Sequence, residues 1–290
     1  MKRITILLIL AALLSVSAGA LSIEKKSIRK VARKTQVVNG SDYQKAMDAY
    51  DKDDLNTAAA LMKKHLDKHP NDAESWACLA GIYGEAGRSQ EAMKAIDRAR
   101  QCNISESDTE LLNWLYFTRS GINLQLNDTI SAIEDLNMAL RYDKTDVDSY
   151  FRRANIYKRL RRFDEAMVDY GMVIQYEPKE VQGYLGLGTV AGSLKKRKEA
   201  IKAYTMAIKL EPEQPECYAL RAVEYFNDWD YEKAAKDVVT ALELDRENTR
   251  ALWILEYLKQ TDDASKDLNK VFNDKAKKTK DPTWLDLLKD

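Results

Sequence analysis

The sequence predicts an all-α fold, an α-solenoid of stacked helix pairs, and three observations carry that prediction. The chain has 11 glycines and 5 prolines, 16 of 290 residues, whereas a β-sandwich or β-barrel needs many more turn-forming residues. Hydrophobic residues make up 45% of the chain, which allows a sizeable core and excludes a disordered chain. The third observation is an internal repeat with a period of 34 residues, which indicates stacked helical units.

The first twenty residues are predicted to be a secretory signal peptide. A cationic start, Met1–Arg3, precedes the apolar run Ile4–Val16, and small residues follow at Ala18 and Ala20, which is the layout of a signal cleaved after Ala20. The apolar run has about 13 residues and is shorter than the roughly 20 that a membrane-spanning helix needs. We therefore expect an exported chain, in a periplasm first of all, with no stable membrane span after cleavage. An uncleaved N-terminal anchor is the alternative.

An alanine recurs at the same point of each repeat and anchors its register. Successive anchors are 34, 40, 34, 34 and 34 residues apart, and a proline follows three of them by twelve positions. An aromatic residue precedes five anchors by sixteen positions, and a small residue follows that aromatic by four. Because residues three, four and seven apart share one helix face, these columns predict an apolar stripe on each of two helices per repeat. The columns are Ala58, Ala92, Ala132, Ala166, Ala200 and Ala234; Pro70, Pro178 and Pro212; Trp76, Tyr116, Tyr150, Tyr184 and Tyr218; and Ala80, Ser120, Ala154, Gly188 and Ala222.

These columns resemble the tetratricopeptide (TPR) repeat. The first helix of that family is matched by Trp76-x-x-Leu79-Ala80-x-x-Tyr83, and its second helix and exit turn by Ala200-x-x-x-Tyr204 with Pro212. The resemblance implies a right-handed superhelix whose inner face is lined by the first helix of each repeat. We expect a linker over 21–38, six repeats within 39–248, and a degenerate repeat or capping helices over 249–290. The six repeats are 39–72, 73–106, 113–146, 147–180, 181–214 and 215–248.

Two places depart from the regular period. The 40-residue interval contains a six-residue insertion around Asn103–Leu112, where Ser107-Asp108-Thr109-Glu110 resembles a capping box. We expect a longer turn and an early helix start there, with a hinge as the alternative. After Asn248 we expect a helix over Ala251–Leu258 and a degenerate partner over Ala264–Phe272. Lys275–Lys280 is interpreted as a charged link, and the helix that begins near Trp284 as the start of a further repeat or as a docked cap.

Three repeats combine an arginine in the first helix with an aspartate in the second, and the other repeats lack both. We predict structural ion pairs between the two helices of one repeat, with arginine favoured for its fork of donors. Such pairs fix geometry more than they add stability. The predicted pairs are Arg119 with Asp135, Arg153 with Asp169, and Arg221 with Asp237.

The sequence carries no catalytic signature that we can identify. It lacks a phosphate-binding loop, a strand-linked dinucleotide motif and a nucleophile elbow. His65 and His69 lie four apart and are a possible metal pair, but a structural role in the last turn of a helix is favoured. The cysteines are interpreted as buried thiols, with a bridge between Cys78 and Cys102 as the alternative. We therefore expect a non-enzymatic protein without cofactor or metal.

The helical phase predicts which residues line the inner face as a partner-binding groove. An apolar, aromatic groove suits an extended or helical peptide, and a clamp for a partner's terminal carboxylates is not supported. With 46 basic and 46 acidic residues, the chain does not indicate a nucleic-acid partner. The predicted groove residues are Trp114, Phe117, Leu124, Phe151, Arg152, Asn155, Arg159, Leu185, Thr189 and Phe226.

The leading interpretation is an exported TPR scaffold that binds protein or peptide partners through this groove. One alternative is the interaction arm of a larger envelope enzyme or transporter whose other domain lies beyond residue 290. Another is an envelope assembly factor that binds anions along a basic rim. That rim combines a basic run within 152–162 with Lys195–Lys198 at the equivalent turn of the next repeat.

Overall fold

The structure, a computed structural model, describes residues 41–289, so the predicted signal peptide 1–20 and linker 21–38 lie outside the described residues. Within 41–289 the chain forms 15 helices and no strand, which confirms the all-α prediction. The helices follow one another in antiparallel pairs with short turns, as an α-solenoid requires. The described residues divide into two compact units, which meet between Arg153 and Ala154 in sequence.

The first unit contains three helix pairs and the beginning of a seventh helix. The first helix of each pair packs against the second, and the small anchor residues Ala58, Ala92 and Ala132 are fully buried between them. The helices are α1 (Ser41–Asp51), α2 (Leu55–Lys68), α3 (Ala73–Glu85), α4 (Ser89–Gln101), α5 (Thr109–Gln125), α6 (Thr129–Tyr142) and α7 (Val147–Arg159), which continues into the second unit.

The second unit repeats this arrangement and adds a C-terminal segment. Its anchors Ala166, Ala200 and Ala234 are again fully buried. The helices after α7 are α8 (Phe163–Tyr176), α9 (Val181–Ser193), α10 (Arg197–Leu210), α11 (Pro215–Asn227), α12 (Tyr231–Leu244), α13 (Thr249–Lys259), α14 (Asp262–Thr279) and α15 (Thr283–Asp286).

The insertion between α4 and α5 produces a longer turn and an early helix start. Helix α5 has 17 residues, whereas α3 has 13. Asp108 caps its N-terminus, because a carboxylate oxygen accepts a hydrogen bond from the backbone N–H of Leu111 at 3.3 Å. An aspartate cap therefore begins this helix, in place of the serine-led capping box that the sequence indicated.

The C-terminal segment differs from the prediction at Lys275–Lys280. This stretch is not a link, because α14 continues to Thr279. Its buried side chains repeat every four residues and extend the apolar stripe to Ala276. Trp284 is buried against Phe272, with ring centroids 6.1 Å apart, and the Arg246 guanidinium lies 3.7 Å from its ring centroid. Trp284 therefore packs on the core of this unit, as a docked cap would. The buried residues of α14 are Ala264, Leu268, Phe272 and Ala276.

The aromatic column joins four repeats to the turn before them. In these four, the polar atom of the aromatic side chain donates a hydrogen bond to the backbone carbonyl six residues earlier. Three of these carbonyls belong to the column of exit prolines, so the two columns form one contact. The pairs are Trp76 with Pro70 at 2.8 Å, Tyr184 with Pro178 at 3.1 Å, Tyr218 with Pro212 at 3.1 Å and Tyr150 with Lys144 at 3.2 Å.

Two glycines of α9 allow close packing in the second unit. A Cβ atom at Gly186 would lie 2.2 Å from Tyr170 Cε1, and one at Gly188 would lie 2.5 Å from Tyr204 Cε1. Neither position can take a side chain without displacing a buried aromatic ring. The small residues of this helix thus set its distance from α8 and α10.

In each of the six repeats, one residue in the turn between the paired helices adopts the left-handed conformation. These residues recur with the repeat period, but only one of them is glycine. The others bear the steric cost that L-residues meet in this region. They are Asp53 (φ 60°), Gly87 (70°), Asn127 (63°), Arg161 (59°), Lys195 (59°) and Trp229 (64°).

Candidate functional site

Two of the three predicted ion pairs are present as inter-helix contacts. Arg221 donates from Nε and from one terminal nitrogen to the two carboxylate oxygens of Asp237, both at 2.8 Å. Arg119 makes the same forked contact with Asp135. Hydrogen bonding to the carboxylate raises the pKa of the Arg119 guanidinium. Both pairs lie between the helices of one repeat and therefore position helices, not a ligand.

The third predicted pair stays a prediction. Arg153 and Asp169 belong to different units. Within its own unit, Arg153 donates a hydrogen bond to the side-chain oxygen of Asn137 at 2.6 Å. Asp169 is buried in the second unit.

The groove residues predicted in the first unit are largely packed inside it. Trp114 and Phe117 are buried, and the Arg152 guanidinium lies 3.6 Å from the centroid of the Phe117 ring. Arg152 also donates to the Phe117 carbonyl at 2.8 Å and to the Ser120 hydroxyl at 3.1 Å. Leu124 and Phe151 are half-buried. These contacts stabilise the packing between α5 and α7, so we look for the candidate surface in the second unit.

The groove residues predicted in the second unit are more accessible. Arg159 is exposed, while Leu185, Thr189 and Phe226 are half-buried on α9 and α11. Half-buried Asn155 accepts a hydrogen bond from the Tyr170 hydroxyl at 2.9 Å. The first helices of this unit thus present a mixed surface in which Phe226 is continuous with a larger aromatic cluster.

This cluster consists of five aromatic side chains from α11, α12, α13 and the turn between α11 and α12; we call it the aromatic band. Its rings form a chain of contacts with centroid distances of 4.5, 6.3, 5.6 and 6.2 Å. Trp229 is 78% exposed, Tyr257 45% and Trp253 42%, although large apolar side chains in such a cluster are usually covered. In order of contact, the band comprises Trp253, Tyr257, Phe226, Tyr231 and Trp229.

Trp229 combines this exposure with a strained backbone. Its φ of 64° is unfavourable for a bulky residue, and such conformations cost about 1–3 kcal/mol. Its ring makes an edge contact with Tyr231 and otherwise faces solvent. Neither burial nor turn chemistry explains a tryptophan at this position. Phe226 alone of the band is among the predicted groove residues, although the spacing of Trp253 and Tyr257 places both on one face of α13.

Glu224 lies on α11, two positions before Phe226, and is an unusual buried carboxylate. Its side chain is only 7% exposed. It faces Gly192 at the end of α9, where a Cβ atom would lie 2.4 Å from Glu224 Oε1. Burial raises the pKa of the Glu224 carboxyl, and the charge of Arg197 opposes that rise. The glycine therefore provides the space in which this carboxylate lies.

The two basic turns of the second unit are partly neutralised within the chain. Around residues 158–162, Arg162 pairs with Glu165 at 2.8 Å, and burial lowers the pKa of the Lys158 ammonium. In the turn at 195–198 the lysines are exposed. The anion-binding rim stays a prediction.

The surroundings of His65 and His69 are those of side chains with a structural role. His65 is buried, and its Nε2 lies 3.4 Å from an Asp72 carboxylate oxygen that also accepts from the Ser75 hydroxyl. Among residues 41–289, no three His, Cys, Asp or Glu side chains are grouped so that they could hold a metal ion. Over the same residues, no helix has the length and apolar character needed to cross a membrane.

The three cysteines are free thiols, so the structure contains no Cys78–Cys102 bridge. Cys78 and Cys217 are buried and Cys102 is half-buried. Burial raises the pKa of Cys78 to about 12. A thiol with so high a pKa is unreactive at neutral pH.

Three segments of this chain match models of the tetratricopeptide repeat family. Residues 43–106 match one tetratricopeptide repeat model, and residues 147–180 and 181–214 match another. The last two ranges have the same limits as the fourth and fifth repeats in our sequence analysis. No curated protein matches the sequence.

Several solved TPR structures share the fold. The C-terminal part of a TPR protein from Cytophaga hutchinsonii has a TM-score of 0.67 at 16% identity and covers 86% of this chain and 100% of its own. A TPR protein from Parabacteroides merdae has a TM-score of 0.57 at 20% identity, with 86% and 98% covered. YrrB, described as a TPR protein with an unusual peptide-binding site, has a TM-score of 0.59 at 15% identity, with 69% and 100% covered. At these identities the similarity concerns the fold.

Proposed function

We propose that the chain is an exported, non-enzymatic TPR scaffold that binds protein partners through the first helices of its second unit. The observation that carries this proposal is the exposed aromatic band on α11 and α13. Aromatic side chains provide large contact areas at low entropic cost and are enriched at the centres of protein interfaces. The peptide-binding site described for YrrB supports this use of the fold.

The site presents an apolar surface that a partner can contact, and we assign no catalytic role to its residues. The band is flanked by half-buried Val223 and by polar side chains of the turn that follows α11. An extended or helical segment could lie across α11 and bury the rings of Tyr257 and Trp253. Burial of exposed aromatic surface is the driving force of such binding.

A partner-capture experiment with matched variants tests the proposal. The full chain and its Trp253→Ser/Tyr257→Ser variant serve as baits in envelope extract, and the captured protein is identified, purified and titrated against both. The control is Val168→Ser, which changes a residue that is 65% exposed on α8. We expect the double variant to bind the purified partner at least tenfold more weakly, and the control to bind like the unchanged chain. Equal affinity for all three baits would refute the proposed surface.

Export is tested by the N-terminus of the protein in the host. Cleavage after Ala20 makes Leu21 the first residue of the mature chain. We expect N-terminal sequencing of the periplasmic fraction to begin at Leu21. Recovery of the protein only from the cytoplasm, with Met1 retained, would exclude export.

A further inference from the structure

Glu224 is a buried carboxylate whose side chain makes no hydrogen bond or ion pair within the described residues. Buried carboxylates are normally paired, because an ionised group loses its hydration on burial. Arg197 influences Glu224 through its charge alone, and Tyr204 of α10 lies close enough to feel the carboxylate. Within residues 41–289, the structure thus contains a carboxylate acceptor that no protein side chain pairs with.

The Glu224 carboxylate lies against the end of α9, a first helix of this unit. Gly192, which it faces, follows the half-buried Thr189 by one helical turn on α9. Both residues belong to the first helix of a repeat, the helix that carries the predicted groove. A larger residue at 192 would fill the space that the carboxylate occupies.

The surroundings of the aromatic band are also acidic. Asp228 follows Phe226 in the turn after α11 and is exposed. Asp262 and Asp263 begin α14 in the equivalent turn of the next pair and are exposed as well. The lysines nearest in sequence are already paired: Lys233 with Asp230 at 2.6 Å, and Lys259 with Glu256 at 3.0 Å. Negative charge beside exposed aromatic faces favours a cation.

We propose that this surface binds a cationic partner segment, with a lysine or arginine side chain paired to Glu224 and an apolar or aromatic side chain packed on the aromatic band. The proposal rests on the proposed function and specifies the chemistry of its partner. A guanidinium donates two hydrogen bonds to one carboxylate.

Helix geometry sets the spacing of the two contacts. Glu224 and Phe226 are two positions apart on α11, so their side chains point to nearly opposite sides of the helix. A helix with its side chains is about 10 Å across, and an extended segment advances about 3.3 Å per residue. A segment that crosses α11 therefore presents its cation and its aromatic residue about three positions apart.

Defined synthetic peptides test this inference on the full chain. The first probe is an octapeptide of serine and glycine with arginine and phenylalanine three positions apart; matched probes carry glutamine or glutamate in place of arginine. The fluorescence of the exposed tryptophans and calorimetry both report binding. We expect the arginine peptide to bind about tenfold more tightly than the glutamine peptide and the glutamate peptide to bind most weakly.

Glu224→Gln separates the cation contact from the aromatic contact. In this variant we expect the advantage of arginine over glutamine to disappear, while the glutamine peptide binds as before. Glu232→Gln, on the outer helix α12, is the matched control and should leave all affinities unchanged. Thermal unfolding of both variants shows that they are folded.

The two proposals fail in different ways. An unchanged arginine preference in Glu224→Gln, or equal binding of the arginine and glutamine peptides, would overturn the cation inference and leave the proposed function standing. Partner capture that is unaffected by Trp253→Ser/Tyr257→Ser would overturn the proposed function itself.

Discussion

Removal of one member of a buried ion pair should cost more stability than removal of both. Arg221 donates two hydrogen bonds to Asp237 and a third to the Thr205 hydroxyl at 3.0 Å. The Asp237 side chain is only 8% exposed. The change Arg221→Leu therefore leaves a carboxylate that is covered by protein and has lost its forked partner.

The expected magnitude follows from this burial. A buried charge left without its partner costs about 3–5 kcal/mol, and the partial exposure of Arg221, 16%, places the change near the lower end, at about 3 kcal/mol. Asp237→Ala should cost about 1–2 kcal/mol, because arginine keeps its Thr205 contact and its long stem reaches solvent. The double variant recreates Leu187 and Ala203 of the preceding repeat and should cost about 1 kcal/mol.

Urea and thermal unfolding of the four proteins, followed by circular dichroism, measure these differences. About 3 kcal/mol corresponds to a fall in Tm of roughly 6–12 °C for a domain of this size. We expect the double variant to be more stable than Arg221→Leu alone, with a coupling energy of about 3 kcal/mol. Additive effects, or a double variant less stable than either single variant, would refute the reasoning.

The remaining predictions concern backbone strain and the buried carboxylate. Lys195→Gly should stabilise the chain by about 1 kcal/mol, because glycine removes the left-handed strain. Gly87→Ala should destabilise it by about as much; a Cβ at Gly87 meets no atom within 4 Å, so the cost comes from the backbone. Thermal unfolding measures both changes. Glu224→Gln should raise Tm at neutral pH. Burial raises the pKa of Glu224 above its ordinary value of 4.5, so ionisation of this carboxyl opposes folding at pH values above the raised pKa. Below about pH 4.5 the carboxyl is protonated in the folded and the unfolded chain, and the rise in Tm of Glu224→Gln should vanish. A gain that is independent of pH would contradict the assignment.

The sequence was sufficient for the helix pairs because their signal is repeated. A single recurring position would predict little. Buried alanines such as Ala132 and Ala200, however, keep the same spacing to an aromatic residue or a proline in several repeats. The ion pairs Arg119–Asp135 and Arg221–Asp237 could be predicted for the same reason, since both charges occur together. Periodicity thus reports contacts that recur from repeat to repeat.

The candidate site was less predictable because it depends on residues that differ from one repeat to the next. Trp114 and Phe117 have the helical phase of groove residues, but both are buried, and the Phe117 ring is covered by the Arg152 guanidinium at 3.6 Å. The left-handed turn could be anticipated at Asn127 but not at Trp229, because tryptophan has no preference for that conformation. The isolation of Glu224 is a tertiary property that no motif encodes.

Site-specific photo-crosslinking tests the central claim most directly. A photoreactive phenylalanine analogue replaces Tyr257 in the aromatic band, or Val168 on the outer helix α8 as the control, and each protein is irradiated in its host. The account predicts that the probe at 257 crosslinks to a partner protein through a segment containing lysine or arginine, and that the probe at 168 does not. Crosslinking to the same partner from 168 but not from 257 would contradict it.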